Sequence, residues 1–168
     1  MSQRDIVALA FLTVFFLIAA LAIVSIRRRV MKQSDIGALS APDSLSGAQL
    51  AAVDAKYVST VFADRPLERV VSNGLMHRGL ARLVLLQDGI QVIRVGERSF
   101  AIRADAIRDV SRASATIDRG VENSGLVALT WMLGSTEVTT NFRLSAADDT
   151  SEFFKLLTQF KTKVKNHD

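Results

Sequence analysis

The chain has 168 residues, 49% of them hydrophobic and none of them cysteine, which excludes a disulfide framework, a thiolate nucleophile and a cysteine metal site. Its formal net charge of +4 resides before Gln33: five of the 21 basic side chains (Arg4, Arg27, Arg28, Arg29, Lys32) and one of the 17 acidic ones (Asp5) lie there, and the remainder is balanced. A neutral remainder lacks the electrostatic footprint of a nucleic-acid binder, and the length suits one domain beside one separate segment.

After a short N-terminus (1–5), Ile6 to Ile26 is an uninterrupted apolar run in which only Thr13 and Ser25 are polar. As a helix it is about 31 Å long at about 1.5 Å per residue, close to the roughly 30 Å of a hydrocarbon core. The expectation is an uncleaved transmembrane helix over 6–26, since a signal peptide has a shorter apolar region and a small-residue cleavage site. Arg27, Arg28, Arg29 and Lys32 follow at once. Short flanks rich in Lys and Arg stay in the cytoplasm, which places the N-terminus outside the plasma membrane and the C-terminal domain in the cytoplasm. The same four side chains are candidates for membrane-surface contact with anionic lipid headgroups. Ala19, Ala22 and Ser25 recur at spacing three and are candidates for helix–helix contact.

Residues 27–52 read as a basic juxtamembrane segment and flexible linker, rich in Ser, Ala, Gly and Asp around Pro42, with a short helix near Ala48–Val53. A domain is expected over 53–165. Its first strand is Tyr57–Phe62, broken by Asp64-Arg65-Pro66; the segment Leu67–Arg78 reads either as a helical turn or as a strand. ARLVLL and IQVIRV flank Gln87-Asp88-Gly89 as a hairpin, with Asp-Gly expected to supply the positive φ of a tight turn. SFAIRA follows, then AIRDVSRAS with Ile107 and Val110 as anchors, and a polar loop over Thr116–Ser124. LVALTWML and EVTTNFRL form a further hairpin around Gly134, with Val127, Leu129, Trp131 and Leu133 on one face. A C-terminal helix capped by Ser145 and Asp148 carries the stripe Phe153, Leu156, Leu157, Phe160 and Val164, and 166–168 is a tail.

About seven antiparallel strands closed by one amphipathic helix make the plan of a PH-like barrel. The stretch LVLLQDGIQVIRVGERSFAIRADAIRDV looks like the central meander of bacterial PH-like domains. The N-terminal run with the start YVSTVFADRPLERVVSNGL resembles small actinobacterial single-pass membrane proteins with a cytoplasmic PH-like domain, loosely labelled transporters or export proteins. The resemblance implies an α+β, mainly-β domain and a binding role. The basic residues around the first strands, Arg65, Arg69, Arg78 and Arg82, are diluted by Asp64 and Glu68 and match phosphoinositide-binding PH domains poorly.

Catalytic chemistry finds no support. His77 has no second ligand at metal spacing, His167 lies in the tail, and no nucleophile elbow, dinucleotide fingerprint or P-loop occurs. Asp148-Asp149 at a helix start is explained by the helix dipole. No enzyme activity, cofactor or metal is expected. The expected function is a membrane-tethered, non-catalytic PH-like interaction module whose partners are the lipid bilayer and a membrane protein, with no nucleic acid. Two alternatives are an accessory subunit of a transporter or respiratory assembly held through its span, and an anionic-lipid sensor.

Overall fold

A computed structural model of the chain describes residues 3–33, 36–112, 126–145 and 147–165; the side chains of 3, 6, 8, 26, 29–32, 147–150 and 163–165 also lie outside the description. The chain divides into two compact units, Met1–Asp35 and Ile36–Asp168.

The first unit holds α1 (Gln3–Lys32). A chain of Leu, Phe, Ile, Val and Ala without Gly or Pro favours a helix, and Thr13 bonds back to the Leu9 carbonyl at 2.8 Å. Large apolar side chains are exposed along it, Phe11 at 74% and Phe15 at 65% among them. The helix runs on through the arginines instead of stopping with the apolar run. Among the described residues no helix is long and apolar enough to cross a membrane. The expected transmembrane helix, its single-pass plasma-membrane topology and the bilayer as partner are corrected on this finding. The resemblance to single-pass membrane proteins is corrected with them, as are both alternatives that rested on a membrane.

The second unit is a seven-stranded antiparallel sheet with a C-terminal helix. Its strands are β1 (Gln49–Phe62), β2 (Gly79–Leu86), β3 (Gly89–Arg94), β4 (Phe100–Arg103), β5 (Ile107–Arg112), β6 (Leu126–Leu133) and β7 (Thr136–Leu144), followed by α2 (Ala147–Lys165). The order is β4-β3-β2-β1-β7-β6-β5. β4 and β5 are therefore opposite edges that do not pair, and the expected closed barrel is replaced by an open, curled sheet. Curling is evident in the core: the rings of Phe100 on β4 and Trp131 on β6 stack with centroids 6.0 Å apart, although four strands separate them in the order.

Alternation decides which side chains fill that curl. Val53, Ala55 and Tyr57 of β1 and Leu83 and Leu85 of β2 point inward with Phe142 of β7. Phe153, Leu157 and Phe160 of α2 complete the core, each burial contributing on the order of 2 kcal/mol. β1 is longer than expected and takes in the segment read as a short helix near Ala48–Val53. The expected hairpin forms around Gln87-Asp88, since Leu86 pairs with Gly89, whose φ is positive. Gly89 is the first residue of β3, and its lack of a Cβ is required by the Ile102 carbonyl and by Arg103 Cα at 3.1 Å. The polar loop at 116–124 and the Asp148 cap lie outside the description.

Candidate functional site

An open sheet leaves two rows of backbone N–H and C=O groups to be satisfied. On β4 the chain supplies the partner itself. Ala101 N–H donates to the Ser40 carbonyl at 2.9 Å, an isolated antiparallel bridge. The strap that carries Ser40 is anchored at several points. Leu39 is buried in the main core, and Leu45 is buried on Val84, Leu86 and Ala101 on the outer face. Gln91 Nε2 donates to the Pro42 carbonyl and Asn73 Nδ2 to the Gly37 carbonyl, both at 3.0 Å. Gly37 lies so close to Gly134 that a Cβ would meet its Cα at 2.7 Å. At the strap's end the Ser46 N–H donates to Asp88 Oδ2 at 2.8 Å. That hydrogen bond holds the Asp88 carboxyl below the usual carboxylate range.

β5 is different. It pairs with β6 on one side, with a register shift between Ile107 and Asp109, and has no strand on its other side among the described residues. Ile107 and Val110 face the core while Arg108, Ser111 and Arg112 are exposed. α2 forms a wall beside it: Lys161 Nζ donates to Asp109 Oδ1, and the Arg112 guanidinium lies 4.9 Å from the Phe154 ring centroid. A strand edge with no neighbour among the described residues, beside a helix wall, presents backbone donors and acceptors together with side-chain contacts, the geometry used to add an extended peptide as one more strand.

Inside the curl, polar groups lock the sheet to the loop before β2. Trp131 Nε1 donates to Thr140 Oγ1 at 2.9 Å, and Thr140 and Thr60 hydroxyls are 2.9 Å apart. Tyr57 Oη lies 2.8 Å from Thr60 Oγ1 and donates to the Leu75 carbonyl at 2.8 Å. Every hydroxyl is satisfied when the donors run in one direction, from Trp131 through Thr140, Thr60 and Tyr57 to Leu75. Burial pushes the Tyr57 phenol up from its ordinary value. Above its ring, at 4.2 Å, sits the guanidinium of buried Arg94, which donates to the carbonyls of Gly74 at 2.9 Å and His77 at 2.5 Å. His77 Nδ1 lies 3.2 Å from Glu97 Oε1. Arg94 escaped the sequence reading, although alternation with Ile90 and Val92 already put it on the inward face.

The residues singled out in the sequence lie on α1: Arg27 and Arg28 exposed, Ala22 and Ser25 exposed, Ala19 half-buried, with Arg29 and Lys32 side chains outside the description. None of them is in the unit that carries the sheet. Among the described residues no cluster of three His, Cys, Asp or Glu side chains is placed to hold a metal.

A family model described as Bacterial PH domain-like matches residues 36–159. Among solved structures, the DH/PH domains of PDZ-RhoGEF in complex with GTP-γ-S-activated RhoA are similar at 9% identity and a TM-score of 0.45, over 69% of this chain and 30% of that one. The C-terminal domain of an unknown protein from Leishmania infantum is similar at 15% identity and a TM-score of 0.44, over 71% of this chain and 89% of that one. A structure of Vav1 bound by an allosteric inhibitor is similar at 14% identity and a TM-score of 0.36, over 70% and 26%. No curated protein matches the chain.

Proposed function

The chain belongs to the bacterial PH domain-like family, whose domains are non-catalytic interaction modules, and we propose that this one binds an extended segment of a protein partner on the free edge of β5. The observation that carries this reading is the unequal treatment of the two sheet edges. Ser40 occupies β4, whereas β5 has no strand on its outer side among the described residues, beside α2. Main-chain hydrogen bonds to the added strand supply affinity, and the surroundings of Arg112, Phe154 and Lys161 supply selectivity.

The test is selection of peptides from a displayed random library on the full chain, followed by Ser111→Pro and Arg112→Pro. Successive residues of a strand point their N–H groups to opposite sides, so one of these prolines removes a donor from the free edge and the other from the β6 ladder. The variant that keeps native Trp131 fluorescence should lose peptide binding by tenfold or more, about one charge-free hydrogen bond in energy. Unchanged binding in that variant overturns the reading.

A second reading concerns α1, where Ala19, Ala22 and Ser25 are small side chains recurring at spacing three among exposed large apolar ones, so that another helix could approach closely along that line. Ala22→Leu should then weaken association with a partner helix or a second copy in sedimentation, and an unaltered profile would exclude it.

A further inference from the structure

The outer face of the sheet carries a second feature, on central strands and away from β5. Alternation sends Lys56, Leu80, Ile93, Val95 and Arg143 outward, opposite to the core. Lys56 lies directly across from Arg143 on one side and from Leu80 on the other. Val95 N–H bonds to the Leu80 carbonyl, and Ile93 lies across from Arg82, so one row reads Arg143, Lys56, Leu80, Val95 with Ile93 beside it.

Two properties of this row do not follow from solubility alone. Like charges directly opposite one another in a sheet destabilise it. Here neither Lys56 nor Arg143 forms an ion pair among the described residues, and Arg143 Nε is buried with no hydrogen-bond partner. Edge protection does not explain the charges, because β1 is the middle strand of the seven. Next to them three aliphatic side chains stand bare, Leu80 at 65%, Val95 at 71% and Ile93 at 42% exposure.

The same face shows how it is covered where it is covered. Farther along β2, Val84 and Leu86 are sealed by Leu45, delivered by the short strap and held by Gln91 on the Pro42 carbonyl. Leu80 and Val95 lie on the same face beyond the Arg82–Ile93 pair, and among the described residues no strap covers them as Leu45 covers Val84. We infer that the Lys56–Arg143 pair with Leu80, Val95 and Ile93 is a docking strip for an amphipathic acidic segment of a protein partner. Its carboxylates compensate the two cations, and its aliphatic side chains repeat on Leu80 and Val95 what Leu45 does on Val84. The strip is independent of the β5 edge and predicts a helical or irregular ligand instead of an added strand.

The experiment is a fluorescence-anisotropy titration of the full chain with a labelled synthetic peptide carrying Glu on one helical face and Leu at spacings of three and four on the other. Binding should be saturable and should weaken as salt rises. It should fall about tenfold or more in the double variant K56E/R143E, and similarly in L80S/V95S. These side chains are outward, and Trp131 fluorescence reports whether either variant has kept its fold. A peptide with every Glu replaced by Gln gives the same answer with the protein unaltered, and should bind at least tenfold more weakly. Equal binding of a scrambled peptide of the same composition overturns the inference. So does loss of binding in the β5 proline variant, or capture of phosphatidylserine vesicles in place of the peptide.

Discussion

Tyr57 is the only tyrosine of the chain and Trp131 its only tryptophan, and one file of hydroxyls joins them across three strands. Tyr57→Phe deletes the link to Leu75 and leaves a buried carbonyl without its donor. The expected loss is about 1–3 kcal/mol in urea denaturation followed by Trp131 fluorescence. The phenol also sets an alkaline limit. Burial raises its pKa in the folded state, so the stability it contributes is complete below the unfolded value of about 10 and is lost as pH rises through the folded one. Tyrosinate absorbance should therefore rise at higher pH in the folded chain than after denaturation; coincident curves would refute this. Arg94 makes the complementary case, a buried cation held by two carbonyls and an aromatic face, with its Nε without a hydrogen-bond partner among the described residues. Removing it by Arg94→Ala should cost about 3 kcal/mol and expose the amides of the 74–78 segment to exchange. Period two was enough to mark Arg94 as inward. What it was satisfied by was not legible, because the Gly74 and His77 carbonyls are brought to it by a loop whose course the sequence left open.

At the scale of elements, the β2–β3 and β6–β7 hairpins and α2 were legible because apolar residues repeat at the period of each structure. The strap over 37–47 was not. Its Ser, Ala, Gly and Asp content reads as linker, yet Leu39 and Leu45 are 4% and 6% exposed, and Ser40 completes a sheet edge. Two isolated leucines carry no period, and a bridge between Ser40 and Ala101, far apart in sequence, leaves no local mark. Leu45→Ala should cost about 2–5 kcal/mol, the range for truncating a buried leucine, against almost nothing for a linker residue. Asp88 ties the end of the strap, and its lowered pKa gives the sign of the acid response. The stability it contributes is present above about pH 4 and is lost as pH falls through the folded value. In Asp88→Asn that acid loss should shrink, which thermal melts between neutral and acid pH would register. α1 was legible as a helix from its composition. Its reading as a span was not upheld, since among the described residues no helix is long and apolar enough to cross a membrane.

For the whole molecule, element order was legible down to the number of strands, but closure was not. Strand patterns are the same in a barrel and in a curled open sheet; only the pairing of the first and last edges differs, and that depends on contacts far apart in sequence. The difference matters for function, because closure abolishes edges and an open sheet keeps one for use. The chain spends its own Ser40 on β4 and leaves β5 unoccupied among the described residues. A family of non-catalytic domains, an edge of this kind and a helix wall beside it lead to one claim, that a partner strand adds to β5. Amide hydrogen exchange of the full chain, with and without a library-selected peptide, tests that claim most directly. Added protection at alternate residues of Ile107–Arg112, with β4 unchanged, is the expected result. Protection confined to β4 and the strap, or none on β5 at saturating peptide, would contradict it.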